Sequence, residues 1–331
     1  MPLATDSLSK KAMGGSELMK YRLIKEVGEE NLEDFQIFVS RVEEELDPDK
    51  IKIYWHQDLP QDPACAHLAN GGWKNFDYFV FNSHWQMHMF NLFLQIPYSK
   101  SMVLQNAIDP IVVEDKPKDV VKLIYHTTPH RGLQLLVPVF EKLCETHDDI
   151  ELDVYSSFKI YGWDERDSHY QALFDKCKEH PKINYYGSVS NEEVKAALAK
   201  AHIFAYPCIW TESSCISLME AMSAKLVCVH PNYGALYDTS GAITRMYQWD
   251  EDANRHAGRF FNVMDRAIKD VKSCIHTAEV EYGKFYADNR YNWEKRANEW
   301  KALLSMLREM KRIGELDKLN PKEEFVYRPG A

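Results

Sequence analysis

The segment 204–236 constrains the fold of this chain more than any other part of the sequence. It reads FAYPCIWTESSCISLMEAMSAKLVCVHPNYGAL, with one apolar run at 204–207 and a second at 226–230. Such runs are typical of buried strands in a parallel sheet that helices cover on both faces. A polar loop and a short helix from about Ser214 lie between them. The segment therefore predicts a strand–loop–helix–strand unit and an α/β fold.

The same alternation of strand and helix continues through the second half of the chain. Strands are predicted at 121–126, 151–155, 183–186, 202–206 and 226–230. Helices are predicted between them, at 132–146, 167–180, 191–201 and 214–224. Right-handed crossovers between parallel strands of this kind give a doubly wound sheet. Four further apolar runs, at 35–40, 51–55, 78–82 and 102–105, predict a second parallel sheet in the first half.

A linker joins these two halves. The segment 109–119, DPIVVEDKPKD, has two prolines and dense mixed charge, which is typical of a hinge. We predict a first domain at 1–112, a second at 113–290 and a C-terminal segment at 291–331. Trp293, Trp300 and Leu307 recur at helical spacing in that last segment, so a helix is predicted at 293–311, followed by a polar tail.

Composition excludes several classes of protein. The formal net charge of −10 and an isoelectric point of about 5.7 argue against a nucleic-acid scaffold, because such proteins carry basic faces. The seven cysteines form no C-x-x-C pair and no zinc spacing, which is typical of a reduced, cytoplasmic protein. No apolar run reaches the roughly 18–20 residues of a membrane span. A peripheral contact with a membrane stays open.

Two glutamates follow the predicted strand of the segment 204–236. Glu212 lies in the loop after the strand, and Glu220 lies less than two turns into the helix. Carboxylates bind vicinal hydroxyls by accepting two hydrogen bonds. If Ser213-Ser214 caps the helix, the backbone N–H groups of Cys215, Ile216 and Ser217 are free donors for an anion. This pattern favours a nucleotide that bears a sugar, and solvated helix charge is the alternative.

Two further loops carry candidate anion-binding groups. In YHTTPHRGLQLL, at 125–136, a strand ends and Arg131-Gly132 begins a helix, where a guanidinium can bind a diphosphate through two hydrogen bonds. A surface arginine that opposes the helix dipole is the alternative. Near the start, Gly14-Gly15 precedes Ser16 and an amphipathic run, which suits a glycine-rich loop at a helix N-terminus. An ordinary capped turn is the alternative there.

These motifs together resemble those of the GT-B glycosyltransferases, and among them glycosyltransferase family 4. The matching pieces keep the order of the family: GGSE at 14–17, QNAIDP at 105–110, TPHRGL at 128–133, YGSVS at 186–190, ESSCISLMEAM at 212–222 and YNWEKRA at 291–297. The resemblance covers most of the chain. It implies two Rossmann-like, doubly wound parallel-sheet domains that face a cleft, with the last helix crossing back to the first domain.

The resemblance also implies roles for the candidate residues. The substrate would be a UDP- or GDP-linked sugar, held mainly by the second domain. Arg131, Gly132 and the backbone of 215–217 would bind its diphosphate. Glu220 would bind the ribose, and Glu212 would bind the donor sugar near the reacting carbon. On the first domain, Gly14 and Gly15 would approach the phosphate or the acceptor.

The implied reaction is glycosyl transfer with retention of anomeric configuration to a glycan, lipid-linked or other hydroxyl. In this family the leaving diphosphate is thought to take the proton of the acceptor, so neither a metal ion nor another cofactor is expected. His56, after the strand at 51–55, is the candidate for the active-site histidine of the first domain. His84 competes with it. An ordinary strand-end histidine is the alternative for each.

The sequence departs from the family in three places. The family has a strand before its Gly-Gly loop, and MPLAT is a poor substitute. We therefore expect either that the first domain lacks its first strand or that the chain starts at an internal methionine. His126 and His130 stand where a basic pair is common, and Ala224-Lys225 stands where Ala-Gly is usual. Two other functions therefore stay open: an inactive protein that binds nucleotide sugars, and a nucleotide-sugar epimerase, against which the motif order argues.

Overall fold

The computed structural model describes residues 15–320, and the chain divides into two compact units. One unit comprises the chain up to Ala107 and resumes at Trp293, whereas the other runs from Ile108 to Asn292. The unit boundaries therefore differ slightly from the predicted 112/113 and 290/291. Residues 108–112 belong to the second unit because Ile111 is buried in its core and donates its backbone N–H to Ser223 Oγ at 2.9 Å.

The first unit contains a four-stranded sheet with parallel pairing throughout its described residues. Its strands lie side by side in chain order: β1 (Phe35–Val39), β2 (Ile51–Trp55), β3 (Tyr78–Phe81) and β4 (Ser101–Val103). Its helices are α1 (Gly15–Val27), α2 (His84–Leu94) and α10 (Trp293–Arg312). α10 packs against α1, and it buries Trp293, Trp300 and Leu307, the three residues of the predicted helical stripe.

Two predictions fall outside the described residues. The expected absence of a first strand concerns MPLAT, and Gly14 was assigned to a phosphate-binding loop. Both lie before residue 15, where the description begins. Gly15 is the first residue of α1.

The second unit contains a six-stranded sheet that is again parallel in every described pair. Its strands are β5 (Val121–Tyr125), β6 (Ile150–Val154), β7 (Ile183–Tyr185), β8 (Ile203–Ala205), β9 (Val227–Pro231) and β10 (Arg245–Tyr247). The spatial order is β10-β9-β8-β5-β6-β7. The chain thus builds the sheet outward from β5 on one side, returns to β8, and continues on the other side.

Helices connect these strands as the alternation in the sequence predicts. They are α3 (Leu133–Leu143), α4 (Gln171–Glu179), α5 (Asn191–Lys200), α6 (Ile216–Ser223) and α7 (Leu236–Ser240), and two more helices, α8 (Ala253–Lys272) and α9 (Thr277–Arg290), follow β10. Two short 3₁₀ helices, Phe158–Tyr161 and Asp164–Tyr170, precede α4 and replace the start of the helix predicted at 167–180. The prediction of two parallel-sheet α/β domains is confirmed. Within residues 15–320, no helix has both the length and the apolar content needed to cross a membrane.

Candidate functional site

The order of strands in the second sheet defines where a ligand is expected. β5 and β8 are neighbours, yet β6 follows β5 on one side and β9 follows β8 on the other. The chain therefore reverses its direction of winding between β5 and β8. In open α/β sheets, ligands bind in the crevice outside the carboxyl ends of the strands at such a switch point. The loops after Tyr125 and after Ala205 flank this position.

An ion pair joins these two loops. The Nη1 atom of Arg131, after β5, donates to Oε1 of Glu212, after β8, and the hydroxyl of Tyr206 donates to the same oxygen. Glu212 is almost fully buried. Burial acts to lower the pKa of Arg131, but the Glu212 carboxylate outweighs it, so the pKa lies well above its usual value. Burial also raises the pKa of Tyr206, which keeps its hydroxyl a donor.

Gly132 allows the two loops to approach closely. Its φ of 133° is one that side chains rarely adopt, and a Cβ atom there would lie 2.2 Å from the backbone oxygen of Pro207. The backbone N–H of Ile209 then donates to the carbonyl of Arg131 at 3.2 Å. Gly132 therefore acts through backbone packing in this structure, whereas its predicted contact with a ligand stays a prediction.

A second glycine, which the sequence did not single out, holds Glu212 from the other side. A Cβ atom at Gly234 would lie 2.6 Å from the backbone oxygen of Glu212. The next residue, Ala235, donates its N–H to that oxygen at 2.8 Å. Gly234 ends the turn PNYG, which follows β9, so a turn signal was present, although nothing in the sequence connects that turn to Glu212.

Glu220, in α6, faces the carboxyl end of β5. Its Oε2 atom lies 3.6 Å from Nε2 of His126, the residue that follows β5. Ser217, one turn earlier in α6, donates its hydroxyl to the carbonyl of His126 at 3.3 Å. Glu212 and Glu220 therefore lie at the same edge of the sheet, as the sequence predicts, and each has a basic side chain beside it.

The N-terminus of α6 lies further along the chain than predicted. The helix begins at Ile216, and Cys215, which has extended backbone angles, is its N-cap without a side-chain hydrogen bond. The prediction that Ser213-Ser214 caps the helix is therefore wrong, because Cys215 occupies the N-cap position. The amides of Ile216 and Ser217 have no intrahelical acceptor, since they lie in the first turn.

Buried polar atoms without a hydrogen-bond partner occur at this edge of the sheet. Among the described residues, four side chains that follow β5, β6 or β8 have buried polar atoms without a hydrogen-bond partner, namely His126, His130, Ser156 and Ser214. Buried polar groups are nearly always hydrogen-bonded in proteins, and those that are not call for a ligand or ordered water. The site is therefore organised to bind a polar ligand.

His56 lies far from solvent in the first unit. Its ring stacks on Tyr54 at 4.1 Å between centroids, packs against Phe90 at 3.9 Å, and has no exposed surface. Burial lowers its pKa well below the usual value, so the ring is neutral. A catalytic role for His56 stays a prediction, and the packing is that of a core residue. The competing candidate, His84, is exposed at the first residue of α2.

Sequence comparisons relate the region of this site to known glycosyltransferases. The family model of "Glycosyl transferases group 1" matches residues 105–240, which include Arg131, Glu212 and Glu220. The match covers less than half of the chain and lies almost entirely in the second unit. In Saccharomyces cerevisiae, the GPI3 subunit of phosphatidylinositol N-acetylglucosaminyltransferase is 25% identical over 123 residues, 37% of this chain and 26% of that protein. The gpi3 subunit from Schizosaccharomyces pombe is 23% identical over 153 residues, 45% of this chain and 31% of that protein. The chain thus spans about a third or less of the length of these curated relatives.

Solved structures of glycosyltransferases resemble the fold of this chain. A glycosyltransferase from Rickettsia africae ESF-5 has a TM-score of 0.63 at 13% identity, covering 97% of this chain and 85% of that one. The glycosyltransferase WaaG has a TM-score of 0.61 at 15% identity, covering 83% and 79%. Anabaena HepE, solved with UDP-glucose, has a TM-score of 0.60 at 13% identity, covering 78% and 73%. The fold is that of the GT-B glycosyltransferases, as predicted, whereas membership of family 4 stays a prediction.

Proposed function

We propose that this protein transfers a sugar from a UDP- or GDP-linked donor to a hydroxyl acceptor, with retention of anomeric configuration. The observation that carries the proposal is the buried Arg131–Glu212 pair at the switch point of the second sheet. A guanidinium for the diphosphate and a carboxylate for the sugar then lie side by side. The match to the group 1 family model and the GT-B fold support the same interpretation.

The diphosphate would bind between Arg131 and the N-terminus of α6. A guanidinium matches the geometry of phosphate oxygens, and the free amides of Ile216 and Ser217 add donors where the helix dipole favours negative charge. Both groups are held in place without a ligand, because the loop of Arg131 is hydrogen-bonded to the loop of Glu212. Charge that develops on the leaving diphosphate is therefore stabilised without reorganisation of the protein.

The two glutamates would divide the hydroxyl groups of the donor. Glu220, whose side chain is 22% exposed, is placed to accept hydrogen bonds from the ribose. Glu212 has one oxygen engaged by Arg131 and Tyr206, which leaves its other oxygen for a hydroxyl of the transferred sugar. Ser214, with a buried and unpartnered hydroxyl, supplies a further donor at the same edge.

The proton of the acceptor would pass to the leaving diphosphate. The histidine nearest to Arg131 in the chain, His130, is poorly suited to act as a base, because burial and two neighbouring arginines lower its pKa to about 4. Arg131 and α6 would instead hold the diphosphate where it can receive the proton. We propose that the reaction requires no resident metal ion. We also propose that His56 packs in the core of the first unit and does not contact the substrate.

The acceptor and the location are proposed from the relatives. The two GPI3 proteins are named as subunits of phosphatidylinositol N-acetylglucosaminyltransferase, so a lipid-linked hydroxyl is the acceptor class that their names favour. We propose that this chain works in the cytoplasm, at a membrane surface that it touches peripherally. Free glycan hydroxyls are the second acceptor class.

A binding and turnover experiment tests the proposal. Thermal shift is measured with UDP-glucose, UDP-N-acetylglucosamine and GDP-mannose, and nucleotide release is followed by chromatography with lipid-linked and free glycan acceptors. We expect one donor to stabilise the protein, and Glu220→Gln to weaken its binding at least about tenfold. The matched control is Glu192→Gln, because Glu192 is an exposed carboxylate on α5.

Each outcome of this experiment separates the candidate functions. No stabilisation by any nucleotide or nucleotide sugar refutes the transferase proposal. Stabilisation without nucleotide release favours an inactive binding protein, and conversion of the donor sugar without an acceptor favours an epimerase. The anomeric configuration of the product, read from the proton spectrum, must equal that of the donor for retention to hold.

A further inference from the structure

The loop that ends in Glu212 carries an exposed indole. Trp210 is 47% exposed, although a tryptophan side chain offers a large apolar surface to bury. It lies two residues before Glu212, the proposed contact of the transferred sugar. An exposed ring two residues from a buried carboxylate combines an apolar face with a polar group that accepts hydrogen bonds.

The indole is held in place from two sides. The backbone of its loop is fixed, because Ile209 donates to the carbonyl of Arg131 at 3.2 Å and Cys208 Sγ contacts the carbonyl of Trp210 at 3.1 Å. The ring meets His130 edge to face, at 4.7 Å between centroids and an angle of 83°. His130 in turn stacks on Phe158 at 5.2 Å. The exposed indole therefore belongs to an assembly of three packed aromatic rings, those of Trp210, His130 and Phe158.

The charge of this assembly suits a sugar better than a phosphate. The low pKa of His130, about 4, leaves its ring neutral at physiological pH, and its Nδ1 atom is buried without a partner. The rings of this assembly therefore carry no charge of their own, and the positive charges near His130 belong to Arg131 and Arg166. A pyranose has an apolar face of C–H groups and a rim of hydroxyls, which match the indole and the carboxylate of Glu212 respectively.

We propose that Trp210 is the platform on which the pyranose ring of the transferred sugar lies, with His130 as the residue that positions the indole. This inference rests on the proposed function, because it assumes that the donor sugar lies at Glu212. Trp210 then contributes to the recognition of the sugar and not of the nucleotide. A nucleobase on the same ring would require the donor to bind in another orientation.

Calorimetry with the full chain tests this proposal. The probes are UDP-glucose and UDP, or GDP-mannose and GDP if the chain selects guanine. We expect Trp210→Ala to raise the dissociation constant of the sugar nucleotide about fivefold, the value of one aromatic contact, and to change that of the nucleoside diphosphate less than about twofold. Trp210→Phe retains an aromatic face and should recover most of the affinity.

A control and the opposing results complete the test. Tyr282→Ala removes an exposed aromatic ring from α9 and should change neither constant. Equal weakening of the sugar nucleotide and the nucleoside diphosphate by Trp210→Ala assigns the ring to the nucleotide and overturns the proposal, as does no weakening of either. If the wild-type chain binds none of the four probes, the proposed function is refuted, and the proposed role of Trp210 is refuted with it.

Discussion

At the scale of residues, the Arg131–Glu212 pair combines charge with burial. Taking a guanidinium and a carboxylate out of water is costly, and their attraction offsets this cost only while both are present. Tyr206 also donates to Glu212, so the carboxylate accepts two hydrogen bonds. Loss of the arginine would leave a buried negative charge with one neutral donor.

Replacing Arg131 by methionine is therefore expected to destabilise the protein even without a ligand. We expect the free energy of unfolding, measured by urea denaturation, to fall by about 3 kcal/mol. A further Glu212→Gln substitution should restore part of this loss, because it removes the uncompensated charge. Arg255→Met is the control, since Arg255 pairs with Asp250 at the surface and should matter far less. A variant at Arg131 as stable as the wild type would contradict this account of the pair.

From the sequence, the candidate site residues are easier to predict than the partners that they contact. The sequence predicts Arg131 and Glu212 because each lies in the loop after a recognisable strand, and parallel strands place their carboxyl ends at one edge. It predicts Glu220 because that residue lies in the helix that follows Glu212. That Arg131 would pair with Glu212 could not be predicted, since the order of strands in a sheet is a tertiary property. His56 also follows a strand, but its ring turned out to lie in an aromatic core. Polarity at a strand end does not say which way the side chain points.

At the scale of elements, the two ends of the short helix α6 have different surroundings. Its first turn faces the proposed diphosphate, and it carries Glu220. At its other end, Lys284 donates to the carbonyls of Ser223 and Ile111 at 2.8 and 2.7 Å, and Lys116 donates to those of Ala224 and Lys225. Cations at a helix C-terminus satisfy its last carbonyls and complement its dipole.

Lys284→Met is expected to loosen the C-terminal end of α6. The side chain of Lys284 is 23% exposed, and its ammonium group also pairs with Asp288 at 2.8 Å. Its loss therefore removes an ion pair and two charge-assisted hydrogen bonds. We expect a loss of about 2 kcal/mol in the free energy of unfolding. Lys269→Met is a matched control, because Lys269 forms an ion pair of the same spacing with Asp265 but is 60% exposed. Similar losses in the two variants would show that the contacts at the end of α6 add no stability.

The boundaries of elements were predicted less well than their existence. β10 was missed because it has only three residues and begins with Arg245, which reads as a surface charge. In the structure that charge is paired with Asp270 and Glu279, so a charged residue can occupy an edge strand. The start of α6 was placed too early, because both Ser214 and Cys215 precede an apolar run and only the backbone angles distinguish them.

At the scale of the whole molecule, buried histidines recur in both units. Burial lowers the pKa of His130, His202 and His230 to about 4, and that of His56 well below its usual value. In the unfolded chain the same rings titrate near a pKa of about 6.5. As the pH falls below about 6.5, the unfolded chain binds protons that the folded protein does not. Stability that is fully present above about pH 6.5 is therefore lost as the pH falls towards about 4.

The expected result is an acid-labile protein whose free energy of unfolding declines from about pH 6.5 downward, before most carboxylates titrate. His230 has no exposed surface, and its two ring nitrogens contact the Pro231 carbonyl and the Thr244 hydroxyl. Its lowered pKa should therefore reduce the free energy of unfolding by about 3 kcal/mol at about pH 4. Urea denaturation of His230→Asn between about pH 7.5 and 4.5 should show a shallower decline than the wild type. His169→Asn, at an exposed histidine, should keep the wild-type slope. Equal slopes for all three proteins would mean that buried neutral histidines do not set the acid limit of this fold.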